Sequence, residues 1–131
     1  GVARGYFTEE DVELVHQHLS RELQKRGAHI DLYLYCPFHP EGLIEDYRVV
    51  SEDRKPEPGM AFKAAEMQSL DLSLSWMVGD QVSDIEMAER SGVRGLFIGK
   101  QACDIPGVPF FGDLAAAVDY LLSEMGQGGT A

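Results

Sequence analysis

Two short stretches hold the residues best suited to chemistry: Ser75-Trp76-Met77-Val78-Gly79-Asp80-Gln81-Val82-Ser83-Asp84, and upstream Arg54-Lys55-Pro56-Glu57-Pro58-Gly59-Met60. Apolar residues run up to Gly79-Asp80 at the expected C-terminal end of a buried strand, and Asp84 follows at the mouth of a helix. Carboxylates so placed suit a hard cation such as Mg²⁺, which prefers oxygen ligands and keeps waters and phosphate oxygens around it. Arg54 and Lys55 precede two prolines, and a fixed pair of cations is what an anionic phosphate needs. The chemistry indicated is that of half a phosphate-transfer site.

Each residue also has a plainer reading. Asp84 before Ile85-Glu86-Met87-Ala88 can serve as a helix N-terminal cap without any metal. Lys55 can be a solvated surface lysine, although its place between Arg54 and Pro56 argues for a fixed position. Asp80 has the stronger claim to a metal, because its neighbours leave the carboxylate facing the loop side. His16 and His18 stand two apart on a helix and cannot share one ion, and His29 reads as a turn residue. No Gly-x-Ser-x-Gly supports a serine triad.

The elements that must position these residues follow from patterning. Thr8 and Asp11 mark a capped helix whose Val12, Val15, Leu19 and Leu23 recur at helical spacing, closed by Lys25-Arg26-Gly27. Ile30 to Tyr35 is a strand candidate, and residues 36–59, rich in Pro and Gly, form a long irregular segment of the kind that usually carries function. A helix over 60–70, a strand over 75–78, a helix from Asp84 to Ser91 and a strand over 95–98 follow. Asp113 caps a last helix with the apolar stripe Leu114, Val118, Leu121, Leu122 and Met125, and residues 126–131 are expected to fray. Strands alternating with helices, with no hairpin between them, predict an α/β fold with a parallel sheet whose ligands sit at the carboxyl ends of the strands.

Composition bounds the rest. At 131 residues one domain is expected, and 44% hydrophobic residues can supply its core. Twenty-two acidic residues against 11 basic give a net charge of -11, which disfavours nucleic acid and anionic membranes as partners. Cys36 and Cys103 could form one disulfide but do not make a disulfide framework, and free thiols in a reducing cytoplasm are expected.

The quoted residues resemble those of the haloacid dehalogenase (HAD) superfamily of phosphatases, and within it the D-glycero-D-manno-heptose 1,7-bisphosphate phosphatases, related to histidinol-phosphate phosphatases. The matching stretches are Gly1 to Glu10, Tyr35-Cys36-Pro37-Phe38-His39-Pro40-Glu41-Gly42, Arg54-Lys55-Pro56-x-Pro58-Gly59-Met60 and Met77-Val78-Gly79-Asp80. Ala3-Arg4-Gly5 favours the heptose branch. The resemblance implies a HAD-like Rossmannoid three-layer sandwich and a phosphorylated sugar substrate. It gives Arg54 and Lys55 the phosphate, Lys55 and Asp80 roles in catalysis, and Asp80 the Mg²⁺, with Asp84 as a supporting acid of the same metal motif. Gln81 stands where the family usually has a substrate-contacting lysine, so that contact is altered. Zinc is not expected, since the four positions that bind it in many members read Cys36, Phe38, Ser51 and Asp53.

The resemblance also implies an aspartate nucleophile with a second aspartate two residues on as general acid/base, and no Asp-x-Asp occurs in the sequence. The expectation is therefore a partial domain over 1–131, lacking the N-terminal strands, roughly fifty to sixty residues by the length of two strands and their crossovers. Strand 30–35 would then be separated from strand 75–78 by a gap closed by repacking, or filled by a homodimer or strand exchange. Such a chain is expected to be inactive alone. Alternatives are a non-catalytic phosphate- or metal-binding module, a histidinol-phosphate-type phosphatase, and an enzyme completed in trans.

Overall fold

The computed structural model describes residues 1–128. The chain divides into two compact units, Gly1–Arg54 and Lys55–Ala131, with the division inside the long irregular segment.

In the first unit, helix α1 (Glu9–Gln24) begins as its sequence requires: Thr8 Oγ1 accepts from Asp11 N at 3.1 Å and Asp11 Oδ2 accepts from Thr8 N at 2.8 Å. No residue of α1 is buried, and its stripe includes the exposed Val15 and Leu19. Residues 30–35 are not the expected strand: they pair with no other strand among the described residues. A strand exists only through its ladder, and here the segment spends its side chains on α1 instead. Tyr33 stacks on His16 with ring centroids 4.5 Å apart and shares a 2.7 Å hydrogen bond with Ser20. His16 is thus half-buried between Tyr33 and Tyr35.

Glu9 ties this unit together. Tyr47 and Tyr35 donate their hydroxyls to its two carboxylate oxygens at 2.6 and 2.8 Å. These bonds, Tyr47's the larger, hold the Glu9 carboxyl below its ordinary value of 4.5. The folded state then binds this proton less readily than the unfolded state. The stabilisation is fully present above the ordinary value and is lost as pH falls through the lowered one. Glu9→Gln should therefore flatten the acid limb of a titration followed by tyrosine near-ultraviolet circular dichroism. Superimposable acid limbs would contradict the assignment.

The second unit is a parallel sheet between helices. Strands β1 (Trp76–Gly79), β2 (Arg94–Ile98) and β3 (Phe110–Phe111) lie in the order β1-β2-β3, all parallel. Trp-Met-Val-Gly and Gly-Leu-Phe-Ile are the near-continuous apolar runs of strands covered on both faces. Helix α2 (Gly59–Gln68) precedes β1, helix α3 (Val82–Ser91) crosses from β1 to β2, and helix α4 (Leu114–Gly128) follows β3. The period-2 alternation sorts the layers. A Cβ at Gly95 would touch Ile85 and Ala88, so the Gly79/Gly95 face carries α3. Tyr120 of α4 stands edge-on to Trp76 at 6.2 Å and tilted against Phe111 at 5.1 Å, so the opposite face carries α4. The core of the unit is Ala61, Ile85, Met87, Ala88, Val93, Leu96 and Ala117.

Three details depart from the sequence reading. Helix α3 starts at Val82, so Asp84 is its third residue and not its cap residue. Strand β3 has only two residues, too few for any periodicity; it exists because Phe97 N donates to Pro109 O at 2.9 Å and Gly99 N to Phe111 O at 2.8 Å. Asp113 does cap α4, accepting from Ala116 N at 2.8 Å, but the helix packs through Ala117 and Tyr120 while Leu114, Val118, Leu122 and Met125 are exposed. α4 continues to Gly128, into the segment expected to fray; the rest of that segment, residues 129–131, lies outside the described residues.

Candidate functional site

The site is built where β1 stops. Gly79 is its last residue, paired with Phe97 across the sheet, and the chain turns there into α3. A Cβ on Gly79 would overlap the Asp84 side chain, lying 2.5 Å from its Cγ. Only glycine lets the first turn of α3 come so close to the strand. Asp84 is consequently buried, with 8% of its surface exposed.

Both oxygens of that buried carboxylate are used. Oδ2 accepts from the Gln81 backbone N at 3.0 Å, and Oδ1 accepts from Lys55 Nζ. A buried carboxylate needs such partners, because an unpaired charge away from water is strongly disfavoured. The pair fixes the Lys55 ammonium against the start of α3, so Lys55 is not a free surface lysine. A second ion pair holds the same segment: Arg90 Nη1 near the end of α3 donates to Glu57 Oε1 at 2.7 Å. No local pattern joins residues 33 apart, so this clamp had no signal in the sequence.

Asp80 differs from Asp84. It is exposed, and its side chain accepts no hydrogen bond from any described residue. It lies on an open cleft of about 440 Å³ at the carboxyl ends of β1 and β2, together with Lys100 and Asp104. Its oxygens are therefore available to a cation, whereas those of Asp84 are engaged. Among the described residues no cluster of three His, Cys, Asp or Glu side chains could hold a metal. A Mg²⁺ ion fits this donor set as an ion held by one or two carboxylates and completed by waters and phosphate oxygens.

The structure thus brings Lys55, Gln81 and Asp84 into one hydrogen-bonded group, with Asp80 adjacent on the cleft. Gln81 takes part through its backbone N–H. Arg54 closes the first unit, where it is exposed. Its charge helps depress the pKa of His39 there, after the larger effect of that imidazole's partial burial. In the same unit Cys36 Sγ donates to Phe38 O at 3.7 Å and Ser51 Oγ accepts from Asp53 N at 3.1 Å, local loop contacts at the four positions considered for zinc.

Residues 52–105, which contain Arg54, Lys55, Asp80, Gln81 and Asp84, match the family described as HAD-hydrolase-like. A crystal structure assigned as a HAD-like phosphatase from Mesorhizobium loti superposes with a TM-score of 0.81 at 30% identity, over 93% of this chain and 60% of that one. The chain shares the fold of the HAD-like phosphatases. Among the relatives is the D-glycero-β-D-manno-heptose-1,7-bisphosphate 7-phosphatase of Rhodopseudomonas palustris, 44% identical over 95 residues, covering 72% of this chain and 53% of that protein. The protein of the same name from Salmonella typhi is 34% identical over 125 residues, covering 95% of this chain and 64% of that protein. The chain therefore spans 53 to 64% of the length of these curated relatives. The D,D-heptose 1,7-bisphosphate phosphatase of B. bronchiseptica, solved with magnesium and phosphate, superposes with a TM-score of 0.78 at 27% identity, over 95% of this chain and 70% of that one.

Proposed function

We propose that this chain carries the Lys55, Asp80 and Asp84 part of a Mg²⁺-dependent phosphomonoesterase site for a phosphorylated sugar. The sugar is a heptose 1,7-bisphosphate, by the names of the relatives, and the setting is the cytoplasm. The observation that carries the reading is Lys55 held on buried Asp84 beside the unengaged carboxylate of Asp80 at the end of a parallel strand. Lys55 neutralises the phosphate and stabilises the charge that spreads over its oxygens in the transition state. Asp80 holds the Mg²⁺, and Asp84 supports it by fixing Lys55 and the turn that presents Asp80. The ion supplies charge neutralisation at the phosphate oxygens. Gln81 contributes an uncharged contact where the family has a lysine.

The nucleophile is proposed to come from an Asp-x-Asp segment that is not among these 131 residues. Two features support this. Among the described residues β1 pairs only with β2, which leaves its other edge able to accept a strand. The apolar side chains Leu114, Val118, Leu122 and Met125 of α4 are also exposed. Either the Asp-x-Asp segment or a second copy of the chain, in a homodimer or by strand exchange, can use that edge.

The test is phosphate binding, followed calorimetrically with and without Mg²⁺, for the chain and for Asp80→Asn. Binding should be Mg²⁺-dependent and fall by about tenfold or more in the variant, since one direct ligand is weakened. The urea midpoint should not move, because Asp80 is exposed and makes no hydrogen bond within the described residues. Phosphate binding indifferent to both Mg²⁺ and Asp80 would overturn the assignment.

A further inference from the structure

The cleft beside Asp80 contains a cation that none of the roles above uses. Lys100 lies just beyond β2, as Asp80 lies just beyond β1, and both line the cleft of about 440 Å³. Its size falls within the roughly 300–1,000 Å³ typical of small-molecule sites. Gly79 pairs with Phe97, so Asp80 stands level with Ile98 and Lys100 is two residues further along. The loop that bears Lys100 is anchored at its start, where Gly99 N donates to Phe111 O at 2.8 Å.

Lys100 makes no ion pair or side-chain hydrogen bond among the described residues. Lys100 is exposed and lines the same cleft as the carboxylates of Asp80 and Asp104. Its neighbours define a ligand. The ammonium is a compact point charge that takes a phosphate or carboxylate, while the carboxylate of Asp104 and the amide of Gln101 accept from hydroxyl groups. An anionic end attached to a polyol fits all three.

We propose that Lys100 reads the phosphate that is not hydrolysed, making this cleft the site's selector for sugar bisphosphates over sugar monophosphates. The inference rests on the sugar-bisphosphate reading above. Lys100 would then provide the positive charge that position 81 lacks. It approaches from the next strand instead of from the residue after Asp80.

Calorimetric affinities for heptose 1,7-bisphosphate and heptose 7-phosphate, with Mg²⁺ present, test this on the chain, Lys100→Ala and Lys100→Arg. The unsubstituted chain should prefer the bisphosphate by about tenfold, the scale of one exposed charge-assisted contact. Lys100→Ala should remove that preference by weakening the bisphosphate alone, and Lys100→Arg should retain it. A preference that survives Lys100→Ala, or an equal loss for both ligands, overturns the role of Lys100 and leaves the function reading standing. An unsubstituted chain that shows no preference, or binds neither sugar, overturns both.

Discussion

Gly79→Ala is expected to destabilise the second unit by about 3 kcal/mol, from overpacking and disturbance of a buried charge pair. Two effects oppose each other at this position. Alanine in a strand is intrinsically better than glycine by about 0.5–1 kcal/mol. Against that, the new methyl would occupy the space of the Asp84 carboxylate, 2.5 Å from its Cγ. The collision cannot be relieved cheaply, because the atoms it meets lie at the root of a short side chain fixed by Gln81 N and Lys55. The steric term is the larger, so the urea midpoint should fall. Adding Asp84→Ala to Gly79→Ala should cost less than the sum of the two single changes, since it removes the group the methyl meets. A Gly79→Ala chain as stable as the parent would refute the packing described for the site.

Lys55→Met is the second large effect, and it separates structure from chemistry. The change leaves Asp84 buried with Gln81 N as its remaining partner. A fully buried pair broken this way loses about 3–5 kcal/mol. The Lys55 side chain is 37% exposed, so water screens the pair and about 1–2 kcal/mol is expected here. The effect on phosphate should be larger, about a hundredfold in affinity or rate, as for removal of one fixed charge-stabilising group. Asp84→Asn keeps the shape but not the charge that holds Lys55. It should show a smaller loss of phosphate affinity than Lys55→Met. Equal phosphate binding in the parent and Lys55→Met would remove Lys55 from the site.

The sequence made the second unit legible for definite reasons. The apolar runs of β1 and β2, and the Gly79-Asp80 that ends the first, encode position and burial in a few adjacent residues. The caps at Thr8 and Asp113 are equally local, each a hydrogen bond to a backbone amide three residues on. What the sequence hid depends on distant partners. Residues 30–35 have strand composition, but Tyr33 and Tyr35 engage α1 and no ladder forms among the described residues. The α4 stripe of Leu114, Val118 and Leu122 has core composition yet is exposed, because Tyr120 meets Trp76 and Phe111 from another face of the helix.

The site was legible in its residue types more than in its division of labour. Asp80 and Asp84 look alike as letters four apart. The structure buries one beneath Gly79 with both oxygens engaged and leaves the other open on a cleft. That difference comes from the approach of α3 to β1, which only the packed unit reveals. Lys100 carries no local signal, because its relation to Asp80 runs across the β1–β2 register, with no spacing rule along the chain.

The most direct test of the account is release of phosphate from heptose 1,7-bisphosphate in the presence of Mg²⁺. It should be measured on the 131-residue chain, and on the chain joined to an N-terminal segment bearing Asp-x-Asp. No turnover is expected from the first and turnover from the second, abolished by Asp80→Asn. Turnover by the bare chain would contradict it, because the nucleophile would then lie among residues to which no such role has been given.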